Sequence, residues 1–138
     1  MRVKGSTLKS PGVKVEPWRV LAFDPGYERL GIAVVEKENG KEKLIHSDCV
    51  RTSASLSFPE RLEILGKAAE ALIKKYRPQA VALEQVYFSK NEKTAMQIAR
   101  VAGMLSYVAS RNKLPLFEYT PLEVKVAITG YGKSDKAA

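Results

Sequence analysis

The sequence predicts an α/β domain in which helices cover both faces of a mixed, five-stranded sheet. Two apolar strands are separated by a helical segment, which is typical of parallel neighbours in one sheet. An Asn-Gly pair between two strand-like runs adds an antiparallel hairpin. The chain has 138 residues, 45% of them hydrophobic, which is enough to bury the core of one such domain.

The first strand ends at an acid. Val20 to Phe23 is an unbroken apolar run, as in a strand covered on both faces, and Asp24 stops it. Asp-Pro-Gly then turns the chain, and Leu30 to Glu38 should form the second strand. A carboxylate at the end of a buried strand needs a partner, and Arg29 is the nearest cation in sequence. The hairpin by itself is equally consistent with an Asp24 that has a functional role and with an Asp24 that only starts the turn.

The second strand should be followed by a third that pairs with it. Asn39-Gly40 is a strong signal for a tight hairpin turn, so Lys43 to Thr52 is expected to run antiparallel to the second strand. Three strands would then adjoin one another in chain order.

A helix should follow, with Ser57 as its cap and Glu60 completing a capping box. Arg77-Pro78 should end it. One face of this helix carries an apolar stripe, which should pack on the sheet and consists of Leu62, Leu65, Ala69, Leu72 and Tyr76.

The second half of the chain repeats the strand-helix pattern. Gln79 to Val86 is a strongly apolar strand, expected to be parallel to the first, and Glu84 closes its apolar run. Ser89 to Asn112 should be a long helix with almost no polar face. Leu116 to Tyr119 should be the last strand, and a further helix should open at Thr120.

The long helix should be covered on two sides, because it is apolar nearly all round. In a small domain the second cover is most simply another subunit, seated on the helix around Ala95 to Tyr107, where Ala99, Ala102 and Gly103 would permit close approach. The alternative is a helix enclosed within its own domain.

Charge and composition narrow the class of partner. Lys and Arg total 23 against 15 acids, a net charge of +8, which favours polyanions such as nucleic acid or an anionic membrane surface. No apolar run is long enough to span a membrane, and the single Cys49 forms no intrachain disulfide. A soluble protein of the reducing cytoplasm is expected.

Residues 1–17 are interpreted as a flexible basic arm.

Asp24 and Glu84 are the candidate catalytic residues. Both end strands expected to be neighbours, where ligands collect in open α/β sheets. Hard oxygen donors favour Mg²⁺ or Mn²⁺, and two such ions can activate water and steady the leaving oxygen of a phosphodiester. The alternative is that Glu84 is a structural acid bonded to backbone amides or to Arg29. His46, the sole histidine, lies on a predicted strand and gives little support to a nucleophile-histidine mechanism.

At these residues the chain resembles the RuvC family of Holliday-junction resolvases, which have a ribonuclease H-like fold. The matching segments are FDPGYERLGIAVVE at 23–36, FPERLEIL at 58–65, LEQVYFSKNEKTAMQIARVAGM at 83–104 and FEYTPLEVKVAITGYGKSDK at 117–136. They cover nearly everything after the basic arm. Residues 18–138 would then be a nuclease domain of this fold without its last helix.

The resemblance implies a homodimer that binds a four-way DNA junction and makes paired nicks with two Mg²⁺ ions, in recombination and repair. Proteins that move the junction are a further expected class of partner. The resemblance also implies that Asp24 and Glu84 are the catalytic, metal-binding acids and that Lys125 and Lys136 are further catalytic groups. DNA contacts are implied for Tyr87, stacking on a base near the crossover, and for Lys90 and Lys133. Packing under the long helix is the alternative for Tyr87, and solvated helix faces are the alternative for the lysines.

One departure from the family concerns the metal site. Family members carry a final pair of acids, spaced three apart, on a further helix, whereas this sequence stops at Ala138 and Asp135 lies too early to belong to that pair. Without that acid pair, the fold, the dimer surface and some DNA affinity are expected to be retained, whereas cleavage should be severely weakened.

Two other classes of function remain open from the sequence. One is a non-catalytic junction-binding protein of the same fold. The other is a nucleotide-binding lobe of the sugar-kinase type, which would need a second lobe for which this chain has no room.

Overall fold

The computed structural model describes residues 17–26, 28–85 and 92–119, and every structural statement below concerns these ranges. The elements in chain order are β1 (Trp18–Pro25), β2 (Arg29–Glu38), β3 (Lys41–Arg51), α1 (Phe58–Tyr76), β4 (Ala80–Glu84), α2 (Glu92–Arg111) and β5 (Leu116–Tyr119). The predicted order of strands and helices is confirmed within these ranges. The helix predicted from Thr120 and most of the basic arm lie outside them.

The strands form one five-stranded sheet in the order β3-β2-β1-β4-β5. The β1–β2 and β2–β3 pairs are antiparallel, whereas β1–β4 and β4–β5 are parallel. The predicted mixed α/β sheet is therefore confirmed. β1 is the central strand, which explains why its run from Leu21 to Phe23 is buried and apolar.

One face of the sheet, called here the helix face, carries the main core. Alternate residues of β1, β2 and β4 point towards it, and α1 and α2 pack over them. The largest fully buried side chains include Phe23, Leu30, Leu83 and Leu105. Both described helices lie on this face, so the predicted helix cover of the opposite face is not seen within the described ranges.

The opposite face carries small side chains. Ala22, Ala33 and Ala82 form a second buried cluster, with Val20 and Tyr119 packed against it. Because side chains alternate along a strand, Asp24 and Glu84 lie on the same face as Ala22 and Ala82. This second face is called the carboxylate face below.

The β2–β3 hairpin turns at the predicted Asn-Gly pair. Asn39 and Gly40 both adopt positive φ, at 54° and 78°, as a two-residue hairpin turn of this kind requires. β3 begins at Lys41 and ends at Arg51, so the strand predicted from Lys43 to Thr52 is displaced by two residues at its start and one at its end.

A β-bulge interrupts this hairpin, which the sequence analysis did not predict. Val35 pairs with Leu44 but Val34 pairs with His46, so Ile45 is the extra residue. Ile45 and Val50 both pack on the main core. Residues five apart point to opposite faces of a regular strand, so the bulge is what brings both onto the helix face.

Helix α1 has the caps that the sequence predicts. The Ser57 side chain accepts from the backbone N–H of Glu60, and the Glu60 carboxylate accepts from the backbone N–H of Ser57 at 2.8 Å. The pKa of the Glu60 carboxyl is held below its ordinary value, chiefly by the hydrogen bond from the Ser57 backbone N–H and secondly by the Ser57 hydroxyl. Arg77, in the left-handed region, ends the helix before Pro78.

Helix α1 also buries one charge that the apolar stripe did not suggest. The Arg61 side chain is only 6% exposed, and its Nε donates to the carbonyl oxygen of Ser53 at 3.1 Å. Arg61 thereby ties the β3–α1 connection to the first turn of the helix.

Helix α2 buries one side and exposes an apolar stripe on the other. Its buried residues are Ala95, Val101, Ala102, Leu105, Val108 and Ala109. Met96 and Tyr107 are 57% and 62% exposed, and Ala99 and Gly103 between them are also exposed. The prediction of almost no polar face is wrong, because Lys93 and Arg100 are exposed on the same side of the helix. In the described ranges, neither helix is long and apolar enough to cross a membrane.

Candidate active site

Asp24 and Glu84 occupy the ends of two adjacent parallel strands. The β1–β4 ladder runs from Val20 opposite Ala80 to Phe23 opposite Leu83, and each acid is the next residue of its strand. Neighbouring strands lie roughly 4.8 Å apart, so the two backbones are close at this point. Both side chains lie on the carboxylate face. The predicted juxtaposition of these two residues is therefore present in the fold.

The surroundings of Asp24 leave its carboxylate accessible. Asp24 is exposed although it directly follows the buried Phe23. Among the described ion pairs, none joins Asp24 to Arg29, the partner that sequence proximity suggested. Unlike a structural acid held in a private salt bridge, Asp24 can therefore offer its oxygens to a ligand.

Glu84 is held at the other side of the site by the next strand. It is half-buried and lies opposite Tyr119 in the β4–β5 ladder. The backbone N–H of the following residue, Gln85, donates to the carbonyl oxygen of Tyr119 at 2.7 Å. This hydrogen bond fixes the backbone directly after Glu84 against β5.

Two glycines shape the space beside Asp24. A Cβ at Gly31, opposite Asp24 across β1–β2, would lie 3.3 Å from Asp24 Cβ and 3.9 Å from its Oδ2. A Cβ at Gly26 would lie 2.7 Å from the carbonyl oxygen of Arg29, which accepts a 2.8 Å hydrogen bond from the Gly26 N–H. Gly26 permits the tight turn, and Gly31 leaves the flank of the Asp24 carboxylate without a side chain.

Gly31 was not selected from the sequence, although a signal was available. Glycine is unfavourable inside a strand and often marks the close approach of a ligand or another backbone. Here it interrupts an otherwise apolar strand two residues after Arg29.

The donor set is suited to Mg²⁺. This ion is commonly held by one or two carboxylates together with water and substrate phosphates. Within the described ranges, no group of three or more His, Cys, Asp and Glu side chains could hold a metal. Asp24 and Glu84 could therefore supply two oxygen ligands of the kind that Mg²⁺ prefers, and further ligands would come from elsewhere.

His46 takes no part in this site. Its ring stacks on Tyr76, with 5.4 Å between the ring centroids, at the last turn of α1. Because Val34, its partner in β2, belongs to the main core, His46 lies on the helix face. His46 is therefore on the opposite face of the sheet from Asp24 and Glu84, which agrees with the little support that the sequence gives to a histidine-assisted nucleophile.

The other residues predicted for the site lie outside the described residues. They are Tyr87, Lys90, Lys125, Lys133 and Lys136. Their roles stay predictions.

Comparison with known proteins identifies one family over most of the chain. The family model described as crossover junction endodeoxyribonuclease RuvC matches residues 20–138. The crossover junction endodeoxyribonuclease RuvC of Caldicellulosiruptor saccharolyticus is 43% identical over 119 residues, which are 86% of this chain and 72% of that protein. The same-named protein of Ruminiclostridium cellulolyticum is 37% identical over 118 residues, covering 86% and 71% of the two chains.

Solved structures agree in fold. Thermus thermophilus RuvC in complex with Holliday junction substrate superposes with a TM-score of 0.74 at 29% identity, covering 87% of this chain and 73% of that one. The yeast mitochondrial Holliday junction resolvase Ydc2 gives a TM-score of 0.59 at 18% identity, a likeness of fold alone, over 75% and 51% of the two chains.

Proposed function

Because the chain belongs to the RuvC family of crossover junction endodeoxyribonucleases, we propose that it binds four-way DNA junctions and hydrolyses phosphodiester bonds in them during recombination and repair. The observation that carries this proposal is the position of Asp24 and Glu84 at adjacent strand ends on one face of the sheet. Two carboxylates at such an edge, in a chain of net charge +8, fit a site for a phosphodiester and its counter-ions.

Asp24 and Glu84 are the residues proposed to hold Mg²⁺ or Mn²⁺, as two ions in a complete site. When bound, such ions neutralise charge on the phosphate oxygens and favour attack by water. The exposure of Asp24 and the absence of a side chain at Gly31 support direct access of a phosphodiester to this carboxylate. The remaining roles, carried over from the family resemblance, are general charge stabilisation by Lys125 and Lys136 and DNA contact by Tyr87, Lys90 and Lys133.

The proposed active form is a homodimer formed through α2. Its exposed stripe of Met96, Ala99, Gly103 and Tyr107 recurs at spacings of three and four residues, so it forms one apolar strip along the helix. Small residues at the middle of the strip would let two helix backbones approach closely, while Met96 and Tyr107 would supply contact area at its ends. Two copies would present two active sites to one junction. The reducing cytoplasm is the proposed location, consistent with the single, exposed Cys49.

A second candidate function is non-catalytic binding of DNA junctions. It is favoured by the small number of metal ligands that the described residues bring together. This alternative predicts junction binding without cleavage.

The test separates binding from chemistry. Purified protein would be titrated against a synthetic four-way junction and against linear duplexes of the same arm sequences, in EDTA, by electrophoretic mobility shift. Preference for the junction is expected, and equal affinity for both would overturn junction recognition. Incubation with Mg²⁺ or Mn²⁺ should then produce nicks in the junction, at the severely weakened rate that the sequence predicts for this chain. Junction binding with no nicks from either ion would replace the nuclease by the non-catalytic binder.

A further inference from the structure

Two arginines face each other at the end of the β2–β3 ladder nearest the candidate active site. Arg29 pairs with Arg51, and both are exposed. Like charges directly opposite each other on a sheet repel and lower stability. Neither residue belongs to an ion pair in the described part of the chain. Folding therefore brings together two cations that have no ion-pair partner among the described residues.

The far end of the same two strands is arranged in the opposite way. There, each cation lies opposite an acid, in the pairs Glu38 with Lys41, Lys37 with Glu42 and Glu36 with Lys43. Opposite charges in these positions stabilise the ladder. The arginine pair therefore departs from the pattern that the rest of the hairpin follows.

The pairing of the arginines depends on the β-bulge. Counted from the Asn39-Gly40 turn without a bulge, Arg29 would meet Val50, and Arg51 would point to the helix face. The extra residue at Ile45 shifts the register by one, so that Arg51 faces Arg29 on the carboxylate face. Bulges that re-aim a side chain are common beside functional sites.

The pair lies close to Asp24. Arg29 is two residues before Gly31, the direct partner of Asp24, so Arg29 and Asp24 are diagonal neighbours, roughly 7–8 Å apart. Gly31 and Gly26 carry no side chains themselves, and the Gly26 N–H donates directly to the carbonyl oxygen of Arg29. An extended polyanion could follow this face from the two acids to the two arginines.

We propose that Arg29 and Arg51 together bind a backbone phosphate of DNA, next to the phosphodiester held at Asp24 and Glu84. This inference rests on the proposed function, because it assumes that DNA lies at the two acids. Guanidinium groups bind phosphate oxygens through paired N–H donors, and two of them can share one phosphate. The bound phosphate would also relieve the repulsion between the two side chains.

The test compares two double variants that remove the same charge from the same strands. Arg29→Gln with Arg51→Gln removes the arginine pair, and Lys37→Gln with Lys43→Gln removes two exposed cations from the far end. Junction affinity would be measured in EDTA at several salt concentrations, so that the readout is independent of cleavage. Thermal unfolding of each variant without DNA would check the fold.

The arginine variant should bind the junction about tenfold more weakly at low salt, since each hydrogen bond to a charged group contributes measurably to affinity. The slope of log affinity against log salt should fall by about one, as expected for one lost phosphate contact. The lysine variant should keep nearly the wild-type affinity and slope. Without DNA, the arginine variant should unfold at the same or a higher temperature, because a repulsion is removed.

Three results would overturn the inference, and they are distinguishable. If the wild-type protein binds the junction and the arginine variant matches it in affinity and slope, the phosphate site is wrong and the proposed function stands. An arginine variant that unfolds at clearly lower temperature would assign the pair a structural role instead, and also overturn the inference. If the wild-type protein itself shows no preference for the junction, the proposed function fails and this inference with it.

Discussion

Asp24 lies directly opposite Gly31 across the β1–β2 ladder, so the carboxylate that ends the central strand has no side chain on its β2 flank. Gly31 is not needed for backbone conformation, because its φ is not in the left-handed region. The space it leaves is therefore the property that matters for the proposed chemistry.

Substituting Gly31→Ala tests this space. The new Cβ would lie 3.3 Å from Asp24 Cβ, tight enough to displace the carboxylate slightly but not to prevent folding. We expect the free energy of unfolding to change by no more than about 1 kcal/mol. Nicking of the junction should fall by roughly 10- to 100-fold, since catalysis is sensitive to small displacements. Gly66→Ala in α1, remote from the acids, is the control. Equal nicking rates for wild type and Gly31→Ala would contradict this role.

Removing the charge of either acid should separate binding from cleavage. Asp24→Asn and Glu84→Gln keep side-chain size but weaken the proposed metal site, so nicking should drop by at least about 10²–10³-fold. Junction affinity in EDTA should stay the same or increase, because a negative charge near the DNA is lost. Asp48→Asn, an exposed acid on the other face of β3, is the matched control. Loss of junction binding by Asp24→Asn in a folded protein would argue against the metal role.

The α2 strip can be tested through the oligomeric state. Tyr107→Glu places a charge where the dimer would exclude water, so the variant should sediment as a monomer under conditions in which wild type is a dimer. Leu44→Glu changes an exposed apolar residue, 44% accessible, on β3 and should leave the dimer intact. A monomeric wild-type protein at micromolar concentration and above would rule out the proposed interface.

The capping box of α1 predicts a pH-dependent stability. The pKa of the Glu60 carboxyl is held below its ordinary value by the Ser57 amide and hydroxyl. A lowered pKa in the folded state gives stability above the unfolded pKa that is lost as the pH falls through the folded one. The stability difference between wild type and Glu60→Gln should therefore shrink on acidification, measured by thermal unfolding across pH. Ser57→Ala should cost about 1 kcal/mol near neutral pH.

Glu118→Gln, a change of an exposed acid on β5, is the control for the pH series. A Glu60→Gln difference that stayed constant with pH would show that the lost carboxylate charge is irrelevant to the cap.

Local patterns predicted most of the elements correctly. The caps of α1, the Asn-Gly turn and the buried run of β1 each depend on neighbouring residues, so each was visible in the sequence. The two acids were also found in this way, because each ends an apolar run. Their adjacency followed from one inference, that a helix between two strands makes them parallel.

The features that were missed depend on contacts between distant residues. Burial of Arg61 requires the β3–α1 connection to fold back so that the Ser53 carbonyl can accept its hydrogen bond. Gly31 gains its meaning only from Asp24 on the facing strand.

The sequence by itself therefore determined the elements, their order and the two strand-end acids, because local propensity and apolar periodicity encode these. The tertiary structure alone decided which side chains share the carboxylate face. Ile45 and Val50 both gain stability by packing, partly buried, against the core, and the bulge that accommodates them turns Arg51 towards Arg29. A one-residue shift in register reverses the face of every later side chain, and only the packed core selects that shift.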